Sequence, residues 1–580
     1  MIQMQLVYHF TSTDDGITHY EASINAAYYL IRSGKMLEIV EERLGAYAAK
    51  VMSAIMYRGH AQISYLEAMA ELRTKGVGKS STNGGTFDWD ENEGQNGDAP
   101  HSPSSEKTVT GDQSSDHTRL HTILKSLAGH GFINRVKDAH FHSIMDNTLD
   151  AERKARRDLE TTEFKGKKLE VEVEIRMEKI LKEQLNSDLT QDYPLGTKRP
   201  QVNGYSGGSR KRRRLDSSGG YSEDEDSEHE DDDEDQRPID SNLVVRVNYE
   251  KLDVVLRNRR LVELAAQGTS PVTAQLYETL LRVIEYKTYR CREGGAEIPR
   301  EGEEFETGTE PVTVQRLISE VDPDLDLSGS LGPSGNPPAG KKIKRPLENG
   351  VNGDHHDDDD DDDDENITTE TTKSYDINQH LSLLALPPYR LVRRSNSSIP
   401  AWTVEFRRLA RQLRHLEIER IVGIRFGRLA LRVLRILLEK GKLDEKRLQE
   451  ISLISQKDLR QVLAHMQESG FVDLQEIPKD SQRLPSKTVF LWFFDPDRVG
   501  RNLLHDTYKA MSCCLQRLRF ERGRLKDFLD KTERIDVKGN EEQYLSEAEL
   551  QVLQEWRDKE ALMLGEVARL DDLVAVLRDF

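Results

Sequence analysis

FGRLALRVLRILLEKGKLDEKRLQEISLISQKDLRQVLAHMQESGFVDLQEIPKDSQRLPSKTVFLWFF, residues Phe426 to Phe494, is the stretch on which the reading of the fold turns. Its spacing predicts a first helix over Arg428–Lys440, with Leu429, Val433, Leu434, Leu437 and Leu438 on one face and a stop at Gly441. A second helix follows Asp444, an N-cap residue type, with Leu448 and Ile451 inward. A third starts at Ser455, turns Leu459, Val462, Leu463 and Met466 inward, and stops at Gly470. Two short apolar strands, Phe471–Ile477 and Thr488–Phe494, flank a loop carrying Pro478, Pro485 and Ser486. Three helices closed by a β-hairpin make a winged helix.

Upstream, the same pattern recurs. Ala48, Lys50, Val51, Met52, Ile55, Met56, Arg58 and Gly59 match Ala430, Arg432, Val433, Leu434, Leu437, Leu438, Lys440 and Gly441 without a gap. After Tyr65–Leu72 and a polar insertion at 75–114, Leu120, Leu124, Leu127, Gly131 and Phe132 repeat the spacing of Leu459, Leu463, Met466, Gly470 and Phe471. A helix from Asn25 to about Tyr47 precedes this copy. A third copy is expected from Asn248, Leu276–Ile284, Val314–Ile318 and Ile377–Leu384, with Tyr389–Arg394 and Ala401–Phe406 as its wing. At the start, Leu6–Phe10 and Ile17–Glu21 flank Thr13-Asp14-Asp15-Gly16 and read as the wing of a first module whose helices do not precede it, leaving Leu6, Val7 and Phe10 partly uncovered. Downstream, Leu504, Tyr508, Met511, Leu515, Leu518, Leu525 and Leu529, then Leu553, Trp556, Met563, Val567, Leu570, Val574 and Leu577, form two heptad seams. Each seam is broken by one charge, Arg522 or Glu560, and an antiparallel hairpin would pair them and fix its register.

The reading is therefore a mainly α fold with small β wings: tandem winged-helix domains followed by an antiparallel C-terminal coiled-coil hairpin, with long disordered acidic insertions. The expected divisions are a residual wing hairpin at 1–24, a second winged helix at 25–150 and a charged helical segment at 151–190. A disordered linker at 191–240 leads to a third winged helix at 241–406, interrupted at 322–373. A fourth winged helix at 407–494 and the hairpin at 495–580 complete the chain.

The 580-residue chain has a formal charge of −20, but Glu223–Asp235 holds eleven carboxylates and Asp354–Glu365 ten, and without those twenty-one the charge is +1. The acidity therefore sits in runs that cannot pack, and the rest is near neutral. Cys291, Cys513 and Cys514 supply neither a disulfide framework nor a four-thiolate zinc site, which fits a reducing compartment. No apolar run approaches the ~18 residues of a membrane span. Lys198 and Arg199, ten residues before Arg210, Lys211, Arg212, Arg213 and Arg214, have the spacing of a bipartite nuclear import signal. Lys341–Arg345 is a shorter candidate, and Ser222 and Ser227 precede acidic residues as acidic-directed kinase sites do.

Nothing in the sequence supplies catalytic chemistry. A P-loop is absent, Gly-x-Ser-x-Gly is absent outside low-complexity sequence, and His355-His356 beside the Asp run has no fixed ligand geometry, so neither a cofactor nor a metal is expected. Binding is the remaining class. The third helix of the Phe426–Phe494 module shows Gln456, Lys457, Asp458, Arg460, Gln461 and Glu468 outward, too mixed for a strong DNA reader. The wings are more basic: Lys479, Arg483 and Lys487; Arg390, Arg393 and Arg394; Arg135 and Lys137, with His140 and His142. Phosphate contacts there would be weak, salt-sensitive and indifferent to sequence.

The tandem modules, the Leu6-Val7-Tyr8-His9-Phe10 to Tyr20-Glu21-Ala22 hairpin, Arg411–Lys440 and the terminal heptads together resemble the winged-helix subunit specific to RNA polymerase III. That third-largest subunit is related to the alpha subunit of the general factor TFIIE. Tyr8–Tyr29 and Ile421–Lys440 look similar to fungal members. The resemblance implies a non-catalytic nuclear subunit of the enzyme that makes tRNA, 5S rRNA and other small RNAs. It implies a stable subcomplex with two other polymerase III-specific subunits, a seat on the polymerase clamp, and a part in recruitment by initiation factors and in promoter opening, with weak, non-specific contacts to double- or single-stranded DNA. Two other readings are a free TFIIE-like transcription factor, disfavoured because three scattered cysteines cannot build that protein's zinc ribbon, and a winged-helix scaffold of a non-transcriptional complex.

Overall fold

The structure, a computed structural model, describes residues 2–11, 16–69, 72, 113–159, 166–185, 189, 239–291, 309–327, 329–331, 361–395, 399–478, 488–534 and 536–580. The turn residues 13–15, most of the 75–114 insertion, the two basic clusters at 198–214, the run at 223–235, Ser222, Ser227, 341–345 and His355-His356 lie outside them. The chain divides into two compact units, 1–249 and 250–580.

In the first unit, β1 (Val7–Thr11) and β2 (Thr18–Ala22), each one residue later than the sequence spacing suggests, form an antiparallel hairpin with Tyr8 opposite Glu21. Leu6, Val7 and Phe10 are half-buried, and the His142 ring packs against His9 and Phe10 at 5.8 and 6.1 Å between centroids. The helix expected from Asn25 to about Tyr47 ends slightly earlier, at Gly45. α1 (Ile24–Leu44) is capped by the Ser23 hydroxyl, which accepts from the Ala26 N–H; Gly45 then adopts φ 87° and starts α2 (Ala46–Arg58). β3 (His60–Gln62), α3 (Ile63–Ala68), α4 (Gln113–Gly129) and β4 (Ile133–Arg135) follow, then α5 (Ile144–Leu159) and α6 (Lys167–Leu185), which pack together through buried Ala151 and Ala155. β5 (Val244–Val247) lies between β3 and β4, with Val245 opposite Ala61 and Val247 opposite Ile133. Two expected boundaries therefore shift. Residue 150 falls inside α5, and β5 completes this sheet instead of opening the module at 241–406. The physical reason is the alternation of Val245 and Val247: both are fully buried and need two strands to cover their backbone.

The second unit begins with α7 (Tyr249–Gly268) and α8 (Pro271–Glu285), the latter with Ser270 as N-cap and Pro271 in its first turn. β6 (Val312–Thr313), α9 (Val314–Glu320), α10 (Asp361–Leu384), β7 (Arg393–Arg394) and β8 (Ala401–Thr403) complete a small module. α10 begins inside the 322–373 stretch expected to be disordered. No Gly or Pro stands between Asp354 and Leu386, so helix propagates N-terminally from the packed segment Ile377–Leu384. The core here gathers Leu276, Tyr277, Leu280, Leu317, Leu381, Trp402, Leu409 and Leu413, and Ala575, Val576 and Phe580 join it.

α11 (Phe406–Lys440) contains a break: Gly427 sits at φ 83°, ψ −175°. The two halves fold back on each other, since Arg435 donates to Glu419 at 2.8–2.9 Å and a methyl placed on Gly423 would lie 3.7 Å from Leu431 Cδ2, both pairs equally spaced about Gly427. α12 (Glu445–Ser452), α13 (Gln456–Glu468), β9 (Val472–Pro478) and β10 (Thr488–Phe494) follow as the sequence predicts, with Asp444 and Ser455 as N-caps. Leu429 is the exception. It is 45% exposed and Ala430 is buried in its place, because the fold-back turns the inward face by one residue. Ile451 and Leu438 are only partly buried. Finally α14 (Pro496–Arg524), α15 (Lys526–Thr532), α16 (Glu541–Tyr544) and α17 (Glu547–Val574) form a helical arm in which α14 packs against α17. Its inner residues are Leu503 and Thr507 in place of Leu504 and Tyr508, because Val499 and Leu503 also serve the core of α11–α13. Arg522 donates to Glu533 at 2.7 Å and not to Glu560: α15 brings a nearer carboxylate past the end of α14. Arg414 on α11 donates to the carbonyls of Val576 and Phe580, fastening the chain end.

Apart from the β1–β2 hairpin, the sheets of the described residues share one topology. The orders β3–β5–β4 and β6–β8–β7 are repeated by Leu443, β10 and β9, where Leu443 and Trp492 exchange backbone hydrogen bonds of 3.0 and 2.7 Å. Residue by residue, Ala48, Val51 and Met52 are as fully buried as Ala430, Val433 and Leu434. Gly131 and Gly470 both take φ 74°, and the next N–H, from Phe132 or Phe471, reaches back to Leu127 or Met466 at 2.9 or 2.8 Å. The same offset carries Gly45 onto Gly427 and buried Met36 and Val40 onto Ile418 and Val422.

Two of these glycines should respond differently to a methyl group. At Gly441 (φ 77°) no atom lies within 4 Å of the added Cβ, so Gly441→Ala should cost only the left-handed backbone strain, about 1–2 kcal/mol. At Gly59 (φ 84°) the Cβ would lie 2.5 Å from Met4 Cα and 2.6 Å from the Gln3 oxygen. Gly59→Ala should therefore cost distinctly more and free the chain around Gln3–Gln5, read as a greater loss of amide protection there than Gly441→Ala causes around α12.

Candidate nucleic-acid and docking interface

In a DNA-reading winged helix the third helix presents free cations and amides to base edges. Here several polar and charged side chains of those helices are engaged at home, while Lys457 stays exposed. On α13, Arg460 donates to Glu445 at 2.6 Å, and Gln456 donates to the same carboxylate at 3.3 Å. On α4, the Arg119 guanidinium lies 4.5 Å above the Tyr47 ring. The Ile239 N–H donates to His121 Nδ1 at 3.3 Å, leaving Nε2 to face Glu67 at 3.1 Å. On α10, His380 is fully buried, bonded through Nδ1 to the Thr273 hydroxyl at 2.8 Å and through Nε2 to the Leu327 carbonyl at 2.9 Å, while Asn378 accepts from the Trp402 indole at 3.0 Å.

The basic wing residues fall into separate places. Arg393 and Arg394 form the exposed edge strand β7, and exposed Arg390 stands just before it at φ 47°, held by buried Leu391 and Val392. These three are brought together. Arg135 closes β4 in the other unit and is exposed. Lys137 is exposed, and its ammonium donates to the Glu183 carbonyl at 3.0 Å, at the negative end of α6. His140 is no surface contact at all. The Lys137 N–H donates to its Nδ1 at 3.0 Å, so Nε2 carries the proton and donates to the Leu185 carbonyl at 3.1 Å. Burial, and secondarily the charge of Arg246, lower its pKa from 6.5 to about 4. Lys479, Arg483 and Lys487, between β9 and β10, lie outside the described residues.

A basic feature that helix spacing hides is the turn of α11. Arg425 and Arg428 flank Gly427 and Arg432 lies one turn on; all three are exposed, as are Ile424 (75%) and Leu429. Phe426 points inward against Phe471, edge to face at 5.2 Å, so its neighbours point out. Read as one straight helix, these residues scatter over several faces; only Gly427 and its match with Gly45 signal the reversal. No long apolar helix able to cross a membrane and no group of metal-ligating side chains occurs among the described residues.

Residues 122–413 match the family of RNA polymerase III subunit RPC82, and residues 418–494 match the POLR3C C-terminal winged-helix domain. Over its whole length the chain is 53% identical to the DNA-directed RNA polymerase III subunit rpc3 of Aspergillus niger and covers 91% of that protein. The subunit of the same name is 55% identical in Emericella nidulans, with 91% covered, and 48% identical in Ajellomyces capsulatus, with 93% covered.

The His140 ring makes this junction sensitive to acid. Unfolded, it titrates near 6.5; folded, it stays neutral down to about 4. Its contribution to stability is therefore complete above pH 6.5 and is lost as pH falls towards 4, by at most about 3 kcal/mol. Protection factors of the Glu183–Leu185 amides, which correct for intrinsic exchange, should fall across that window in the wild type and stay flat in His140→Leu, whose ring cannot charge.

Proposed function

The chain belongs to the RNA polymerase III subunit RPC82 family, a non-catalytic subunit of that polymerase, and we propose that within it this chain acts mainly by docking, with DNA touched weakly along its wings. Its partners include other RNA polymerase III subunits. One observation carries the docking reading: Arg119 of α4 and Arg460 of α13, which would face DNA, are engaged within their own modules by Tyr47 and Glu445, leaving Lys457 as the exposed lysine of α13.

The reading extends to the architecture. The recurring strand order and the paired burial of Ala48 with Ala430 and of Leu124 with Leu463 support tandem winged-helix domains, of which 418–494 is the family-matched one. The apolar seam between α14 and α17 supports a coiled-coil arm, suited to holding a neighbouring subunit. Membership of the family supports a heterotrimer with two further polymerase III-specific subunits, engagement by initiation factors, and a place in the nucleus, reached by means of Lys198, Arg199 and Arg210–Arg214. Arg390, Arg393 and Arg394, with Arg135, Lys479, Arg483 and Lys487, would approach the phosphates of promoter DNA. The free-factor and unrelated-scaffold readings gain nothing from these observations.

Purification decides between them. A tagged chain should co-elute with the other polymerase III subunits at high salt, whereas elution as a lone DNA-binding protein, or in another assembly, overturns the proposal. The isolated chain should bind duplex DNA with an affinity that drops about 10³-fold or more if six phosphates are contacted, between 50 and 200 mM salt. Replacing Arg390, Arg393 and Arg394 by Ala should flatten that salt slope without altering sequence preference.

A further inference from the structure

We propose that the turn of α11, with Ile424, Arg425, Arg428, Leu429 and Arg432 as its contacts, receives an acidic polypeptide segment of another polymerase subunit, one in which carboxylates flank an aliphatic or aromatic side chain. The proposal deepens the docking reading and rests on it. The fold-back at Gly427 makes residues 424–430 the projecting end of a helical pair, since Gly423 and Leu431 already face each other below it. Phe426 and Ala430 fill the core, so Ile424 and Leu429 are left outward at 75% and 45% exposure. Between them stand three arginines for which no carboxylate remains nearby on the same helix. Glu417 takes Arg260 and Arg420, Glu419 takes Arg435, and Glu439 takes Lys440.

Charge complementarity and the apolar pair together select the partner. Three guanidiniums without an ion pair among the described residues call for anions, and phosphate would serve them, but a DNA backbone offers nothing to cover Ile424 and Leu429. A polypeptide with carboxylates around an apolar residue covers both, and the mixture of arginine with exposed aliphatic side chains is the composition of protein-interface centres. The equivalent turn at Gly45 lacks it: Arg43 there lies over the Phe132 ring, and the Tyr47 ring is covered by Arg119. The surface therefore belongs to the fourth module and is not a by-product of the repeated fold.

The test places a photo-crosslinking benzoylphenylalanine at position 429 of a tagged chain in intact, purified polymerase III, with and without Arg425→Glu, Arg428→Glu and Arg432→Glu. The expected result is a crosslink to a peptide of another subunit bearing carboxylates beside an aliphatic or aromatic residue. The triple substitution should lower its yield about ten-fold and let the chain leave the polymerase at lower salt. Reversing the carboxylates of the crosslinked peptide to lysine should restore the yield. The substituted residues are exposed, and an unchanged far-ultraviolet spectrum checks the fold. If the wild-type chain stays on the polymerase at high salt but residue 429 crosslinks to promoter DNA, or to nothing, or the triple substitution changes neither readout, this proposal fails alone. If the wild-type chain does not co-purify with the polymerase, the docking reading fails and takes this one with it.

Discussion

At Gly45 and at Gly427 the backbone passes through φ values of 87° and 83°, with ψ of 169° and −175°, and two helices that would otherwise run on fold back side by side. A residue with a Cβ meets a steric penalty in that region, so glycine is the side chain that allows the reversal at low cost. Much else depends on it. The reversal sets Met36 and Val40 against the α2 core, and Ile418 and Val422 against Val433 and Leu434. In the last module it thereby adds a helix to the three of a winged helix and extends the apolar core that a module of about 60 residues could hardly supply alone.

The same economy of packing bears on what the modules do. A core closed by short helices leaves few surface positions, and several are used internally. Arg460 and Gln456 converge on Glu445, Arg119 stacks on Tyr47, and Lys137 and His140 tie the β4 segment to the end of α6. Each such contact stiffens the module and gives a polar side chain a partner within it. What remains outward is basic charge on the edge strand β7 and at the turn of α11, which suits lateral attachment more than insertion into a groove. The chain end contributes to the same rigidity, because Arg414 and the core around Leu413 hold Phe580 beside the base of the α14–α17 arm.

Much of the last module was legible because its signals are local. Asp444, Ser455, Gly441 and Gly470 punctuate helices through hydrogen bonds within a few residues, and Leu459, Leu463 and Met466 show their face by spacing alone. The errors arose where partners are distant in sequence. β5 joined β3 and β4 across more than a hundred residues, so nothing near Val245 announced its neighbours. Leu504 and Tyr508 have good heptad spacing, yet Leu503 and Thr507 are inside, because two bodies compete for the face of α14. Arg522 and Glu560 are symmetric about the turn in sequence, but Glu533 is closer in space.

By itself, then, the sequence determined the helices and caps of the last module, the two acidic runs, and the kinship with an RNA polymerase III subunit. All of these rest on contacts or patterns within one or two helical turns, or on residues matched one to one. Only the tertiary structure decided which cations are spent inside the modules, how the sheet at β5 closes, and where α11 reverses to push Ile424 and three arginines outward. Those outcomes depend on which distant groups meet, and a side chain's reach in space cannot be read from its place in the chain.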